Sequence, residues 1–209
     1  MPYVSDWPSR RLFAVTATIA AFALALIVGA HTAAADTLAC ATPPSSQVFS
    51  QFGDDAYYSL LPDGNFEGDM WGWTLRGASV VSGNEPWYVG GAGDSRSLDI
   101  EPGGSAISPP FCVTDQYPSW RFFARLAGEF RGSSLAVAVQ WTDQKGDHGV
   151  TPVTTLRGGR FRAWRPTGSL GLGPVLNDST TMIERLVFSA GNGSAWRIDD
   201  LYIDPYAKR

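Results

Sequence analysis

The chain has 209 residues, 44% of them apolar and 17% charged, with 16 basic against 20 acidic side chains and a formal charge of −4. That balance excludes disorder driven by high charge and low hydrophobicity. Lysine occurs only as Lys145 and Lys208, so the overall basic field of a nucleic-acid binder is absent and no nucleic-acid partner is expected.

At the N-terminus, Arg10 and Arg11 precede an apolar, small-residue run over 12–30. Ala33-Ala34-Ala35 then gives the A-x-A pattern before Asp36, which is the layout of an export signal. Ser9-Arg10-Arg11-Leu12-Phe13 is similar to the twin-arginine pattern, so the Sec and twin-arginine routes both stay open. A run of about 19 residues is also long enough to span a bilayer, leaving an uncleaved anchor as the competing reading and the only expected membrane contact. The expected organisation is a signal helix over 1–35, an arm over 36–58 and one secreted domain over 59–209. A chain of that size buries about 70% of the surface its unfolded form exposes, enough for one core.

Cys40 and Cys112 are the two cysteines. In an exported protein they are expected to form one disulfide, closing a loop of about 70 residues and worth roughly 4 kcal/mol in the loop-entropy model. A lipidated Cys40 is the alternative, although Thr37 stands where such sites usually have an aliphatic residue.

With 23 glycines and 14 prolines, turn residues exceed the typical combined share of about 12%. They punctuate the chain at Asp63-Gly64, Ser82-Gly83, Gly90-Gly91, Pro102-Gly103-Gly104, 128–132, Gly146, Gly158-Gly159 and 191–193. The short β-branched and aromatic runs left between them predict an all-β sandwich. Over 78–81 and 97–100 two strands are expected. Along 121–126, alternation puts Phe122, Ala124 and Leu126 inside and Arg121, Phe123 and Arg125 outside. The clearest strand is 135–141, with Leu135, Val137, Val139 and Trp141 facing the core and Gln140 facing out. Further strands are expected over 150–156 and 161–164, and 182–187 fits neither period cleanly but reads as a strand. In the last strand, 196–203, the apolar parity slips between Ile198 and Leu201. This suggests a β-bulge that turns Asp199, Asp200 or both away from the ladder.

Leu61-Pro62-Asp63-Gly64-Asn65-Phe66-Glu67, followed by Trp71 and Trp73, resembles the N-x-x-F-E opening of carbohydrate-binding modules of the galactose-binding-like jelly rolls. Ile198-Asp199-Asp200-Leu201-Tyr202-Ile203 resembles their closing strand. The chain over 47–206, with Asn84-Glu85-Pro86-Trp87-Tyr88-Val89-Gly90-Gly91 and Asp204-Pro205-Tyr206, is also similar to uncharacterised exported bacterial proteins. The resemblance implies a jelly-roll β-sandwich and a structural calcium where the two chain ends meet, with Glu67 and Asp200 as ligands and Asp199 as alternate. The competing reading of Asp199 and Asp200 is pairing with an arginine, or capping of the bulge through backbone amides.

Most of the tryptophans are expected in the core, among them Trp73, Trp141 and Trp196. Trp87, Tyr88 and Trp120 lie in Gly/Pro-flanked loops and are candidates for stacking on a sugar ring. Arg121, Phe123, Arg125 and Gln140 are candidates for one outer face where guanidinium forks meet hydroxyls or a carboxylate. The bland alternative is a solvated face with locally paired arginines.

Catalytic signatures are sparse. After the leader the chain has one histidine, His148, and no G-x-S-x-G elbow. Zinc ligation lacks donors, and Gly90-Gly91-Ala92-Gly93 has no strand-to-helix context for a phosphate loop. Glu67, Glu85, Glu101, Glu129 and Glu184 supply carboxylates, but nothing in the sequence pairs them as a glycosidase requires. The expected function is a secreted, non-catalytic binding module for carbohydrate or cell-envelope glycan. A structural or protein-interaction domain of the envelope is the alternative, and a glycoside-acting enzyme the third reading.

Overall fold

The computed structural model describes residues 44–114, 119–129, 132–143, 145–171 and 181–204. The chain divides into two compact units, Met1–Asp36 and Thr37–Arg209, and every described residue lies in the second. The expected signal helix and Cys40 lie outside the described residues. Among those described, no helix is long and apolar enough to cross a membrane, and no cysteine is free.

The described strands are β1 (Ser59–Leu60), β2 (Thr74–Ser82), β3 (Arg96–Ile107), β4 (Phe111–Thr114), β5 (Ser119–Leu126), β6 (Ser134–Asp143), β7 (His148–Arg157), β8 (Arg165–Pro166), β9 (Leu170–Gly171), β10 (Thr181–Ala190) and β11 (Trp196–Asp204). Two short 3-10 turns, Ser50–Phe52 and Gly158–Arg160, complete the regular structure. All the pairings are antiparallel, and the hydrogen-bonded path runs β7-β6-β10-β3-β11-β5-β8.

One continuous sheet curls into a sandwich because β3 changes partners midway. Its first half pairs Leu98 to Ile100 with β11, and its second half pairs Ser105 to Ile107 with β10. β2 follows it along the other edge, slipping register between Arg76 and Ala78. Pro102-Gly103-Gly104, expected as a turn between strands, is therefore a bend inside β3. Glycine is required there: a Cβ on Gly104 would sit 2.3 Å from the Gly77 carbonyl oxygen. Gly77 itself has φ +54° within the β2 bulge, a conformation that other residues rarely adopt.

The core between the layers holds Leu98, Ile100, Trp120, Phe122, Leu135, Val137, Val139, Leu186, Phe188, Trp196, Ile198 and Leu201. Trp73 and Trp141 pack on it half-buried. The doubtful segment 182–187 is strand β10, paired with β6 along its whole length. Its period was obscured because Glu184 shares the core side with Leu186, Phe188 and Ala190. The expected strand over 161–164 does not form; those residues leave the Gly158–Arg160 turn, and pairing resumes at β8.

In β11 the slip is a bulge: pairing with β5 shifts register between Asp199 and Tyr202, and Asp200 takes φ +50°. Leu201 bonds instead to the opening turn, accepting from Leu61 N–H at 2.9 Å and donating to Gly64 O at 3.0 Å. β1 pairs with β11 alongside, so the two ends of the domain adjoin.

A second, smaller apolar cluster covers the outer face of β5 and β11. Residues 46–58 cross that face as a strap in which Phe49 stacks on Phe123 at 5.7 Å and meets Tyr58 and Tyr202 edge-on. Asp54 ties the strap down, accepting from Tyr58 Oη at 2.8 Å and from Arg121 Nη1 at 2.7 Å. Burial raises the Asp54 pKa, but hydrogen bonds from Tyr58, Ala56 and Arg121 outweigh it, and the net shift is downward.

Phe49→Ala is expected to cost about 3–5 kcal/mol, read as a lowered urea midpoint at unchanged slope; a loss under about 1 kcal/mol would show that the strap is not packed. Glu184 yields a pH prediction. Both its carboxylate oxygens are buried without a partner among the described residues, and burial alone pushes its pKa up from 4.5 to about 8. The folded state thus binds a proton that the unfolded state releases. The resulting stability is complete below pH ~4.5 and falls by up to about 1.4 kcal/mol per pH unit as pH rises toward ~8. Glu184→Gln should flatten that decline, and parallel slopes for variant and wild type in pH-dependent urea melts would contradict it.

Candidate functional site

A groove of about 820 Å3 opens on the described part of the chain, within the range of ligand pockets. It lies where the two ends of the curled sheet approach, with β7 on one side and β8 and β9 on the other. Thr154, Thr155 and Arg157 come from β7, Arg160 from the 3-10 turn, and Trp164, Arg165 and Thr167 from around β8; Phe52 of the strap and Trp87 also line it. Leu156, Phe161 and Leu170 supply apolar lining.

Trp87 is 37% exposed and is propped by Phe52 edge-on at 5.1 Å and by Phe123 at 5.5 Å. Trp164 is half-buried, with the Arg125 guanidinium over its ring at 5.6 Å. Burial first, and then the charge of Arg197, lower the Arg125 pKa against the opposing pull of Asp99. No aspartate or glutamate lines the groove among the described residues, so it offers no carboxylate pair for glycoside chemistry there.

The residues expected from sequence to touch a ligand separate. Trp87 and Arg121 line the groove, but Arg121 is almost fully buried. Its Nε and Nη2 donate to the Thr167 carbonyl, its Nη1 pairs with Asp54, and its guanidinium lies over Phe49 at 4.3 Å. Phe123 is covered by the strap. Trp120 is not a loop residue at the surface; it is wholly buried and stacks on Phe122 in the main core, because it shares the inward parity of β5. Tyr88 is half exposed at φ +53° but does not line the groove. Gln140 is exposed on β6, separated from β5 by three intervening strands in the sheet path, so it does not join Arg121, Phe123 and Arg125.

Sequence reading missed Trp164 and the arginines around it. Its available signal was composition: Arg157, Arg160, Arg162 and Arg165 fall within nine residues.

A second constellation lies under the loop 83–95, which covers the bulge in β11. Asp199 Oδ2 accepts from Glu85 N–H at 3.0 Å and its Oδ1 from Asp200 N–H at 3.0 Å. Burial and the neighbouring Asp200 still push the Asp199 pKa up to about 9. Glu85, also buried, accepts from the amides of Trp87 and Val89 at 2.5 and 2.7 Å, which fixes the loop that carries Trp87. Asp200 differs, since neither of its buried oxygens makes a hydrogen bond of good geometry among the described residues, although the Gly90 amide and the Glu85 carboxyl lie close by. Burial, then the charges of Glu85 and Asp94, push its pKa up to about 8.

Asp94 Oδ2 is likewise buried and unpartnered. A Cβ on Gly90 would lie 2.3 Å from that oxygen and 2.6 Å from Asp200 Oδ1; the glycine leaves this space open. Glu67 is near enough to Asp94 to raise its pKa, though less than burial does. Its Oε1 accepts from the amides of Ser95 and Arg96, each at 2.7 Å. Among the described residues no group of three or more His, Cys, Asp or Glu side chains is placed to hold a metal ion.

No protein-family model matches the chain, and no curated protein matches it. Among solved structures it is similar to the TmCBM61 module in complex with β-1,4-galactotriose, with 15% identity, TM-score 0.40, and coverage of 69% of this chain and 96% of that one. It is similar also to the CBM22-1 xylan-binding domain of Paenibacillus barcinonensis Xyn10C, with 16% identity, TM-score 0.44, and coverage of 68% and 91%. A third is the family 11 carbohydrate-binding module of Clostridium thermocellum in complex with a β-1,3-1,4-mixed-linked tetrasaccharide, with 12% identity, TM-score 0.42, and coverage of 73% and 98%. All three are carbohydrate-binding modules, and the likenesses are distant.

Proposed function

We propose that this chain is a secreted, non-catalytic binding module for carbohydrate, with the groove between β7 and β8 as its ligand site. The observation that carries the reading is the groove lining. Two indole side chains, Trp87 and Trp164, stand beside guanidinium groups and the hydroxyls of Thr154 and Thr155, over an apolar floor. Flat aromatic surface suits the C–H faces of a pyranose, and forked donors with hydroxyls suit its oxygens. The strap and the pinned loop hold Phe52 and Trp87 in place before any ligand arrives, which lowers the ordering cost of binding.

We also propose a structural calcium beneath the loop 83–95. Asp200 and Asp94 would supply its carboxylate oxygens, with Glu67 and Glu85 beside them. The donors are all oxygen, the class a hard cation takes, and the orphaned buried carboxylate of Asp200 and the space kept open by Gly90 fit such an ion. The ion would supply the positive charge that Asp200 otherwise lacks. Asp199 has a positioning part, because its two oxygens are occupied by amides. The disulfide is proposed between Cys112 in β4 and Cys40.

On a panel of immobilised glycans the wild-type chain should bind at least one polysaccharide. Trp87→Ala and Trp164→Ala should each weaken retention about tenfold or more at a temperature well below the melting midpoint of either variant, where both remain folded. Absence of binding across the panel, with concentration-dependent association in ultracentrifugation, would favour the protein-interaction alternative. For the ion, chelation should lower the melting temperature and added calcium restore it. The gain is about 2.7 kcal/mol when calcium exceeds its Kd a hundredfold. Asp200→Asn should abolish that response, and a melt indifferent to chelator would refute the proposal.

A further inference from the structure

We infer that the groove selects an acidic oligosaccharide, one whose pyranose rings bear carboxylates, over neutral glycans. The inference rests on the reading of the groove as a glycan site and adds the class of sugar. Arg157, Arg160 and Arg165 are all exposed and all line the groove. Among the described residues Arg121 pairs with Asp54 and Arg197 with Asp99, whereas these three arginines have no carboxylate partner there. In a chain of formal charge −4, three cations without a carboxylate partner around one concavity are a local reversal of sign, and no acid among the described lining residues offsets it.

Their positions are set by the fold. Arg157 ends β7, Arg160 ends the following 3-10 turn and Arg165 begins β8, so the forks are carried by paired backbone and a short turn. A guanidinium presents parallel N–H donors that match a carboxylate in two-point contact, and a neutral hydroxyl offers no such match. The same groove holds indole faces for the ring that bears the carboxylate, which ties charge recognition to sugar recognition. A nucleic acid is the less favoured polyanion. Phosphate-backbone binders spread Lys and Arg along a face of a basic domain, whereas here the positive charge is confined to a groove on an acidic chain.

The test measures binding of the full chain to four probes by calorimetry: a short oligogalacturonate, the same oligomer fully methyl-esterified, a neutral β-1,4-linked xylan oligomer, and single-stranded DNA of similar charge. The expected result is binding to oligogalacturonate that weakens about tenfold or more on esterification and falls with added salt. Arg157→Gln, Arg160→Gln and Arg165→Gln should each weaken it about tenfold while the melting temperature stays unchanged. Trp87→Ala should weaken the charged and esterified oligomers alike. Equal or tighter binding of the esterified or neutral oligomers would overturn the acidic selectivity and leave the glycan reading standing. Equal binding of DNA, insensitive to Trp87→Ala, would overturn the inference in favour of a general polyanion groove. Binding of none of the four overturns it too, and the broader glycan panel then decides the parent reading.

Discussion

The bulge at Asp199 and Asp200 is the constraint on which the arrangement of this molecule turns. β11 keeps its pairing with β5 on both sides of the slip, so the extra residue must be absorbed locally, and Asp200 absorbs it at positive φ. The slip lets Ile198 and Leu201 both enter the main core although they are three residues apart. It also leaves two buried carboxylates in succession on the other side. Buried charge is tolerated only where amides or a cation answer it. Asp199 is answered by amides, one of which belongs to Glu85, and Glu85 in turn gathers the amides of Trp87 and Val89. The place of Trp87 at the groove is thus a distant consequence of a one-residue irregularity in the last strand.

The outer face of β5 and β11 shows how a surface that looks suited to ligands is taken over by the chain itself. Phe123, Arg121 and Tyr202 alternate outward as their strands dictate, but the strap lays Phe49 across them and Asp54 neutralises Arg121. Once a guanidinium is held by a half-buried carboxylate and a carbonyl, its donors are committed, whereas Arg157, Arg160 and Arg165 at the seam carry no carboxylate partner among the described residues. The position of the groove follows from this: it begins beside Phe52 of the strap and runs toward β7.

What the sequence made legible was local alternation. The inward sides of 121–126 and 135–141 and the parity slip in β11 have physical signatures within a few residues, whereas the approach of the opening turn to the closing strand was implied only by the family resemblance. The failures were of two kinds. Pro102-Gly103-Gly104 has turn composition, but composition alone does not distinguish a turn between strands from a bend within one, a difference made by the partners β11 and β10 far along the chain. Gln140 was grouped with Arg125 because both face outward, yet sheet order, which parity does not encode, separates them. Trp120 has the parity of Phe122, and the alternation of β5 reaches back to it although Pro118 stands only two residues before it. The residues added to the proposed sites, Asp94 and the arginines Arg157, Arg160 and Arg165, sit in a loop, at a strand end, in a 3-10 turn and at a strand start, where no periodicity marks them.

The two constellations on either side of the loop 83–95 carry opposite charge, and burial gives that opposition different meanings. An unpaired carboxylate with no exposed surface, as in Asp200, is a liability in the folded state. It is relieved by a proton or a cation, so its signature is in stability, and it says little about what the protein recognises. An unpaired guanidinium at an exposed rim costs almost nothing, since water screens it. Its persistence beside Trp87 and Trp164 is therefore not dictated by folding, and substituting it should leave stability intact. Charge that the fold does not require, gathered in one concavity against the sign of the whole chain, is the feature that points outward to a ligand.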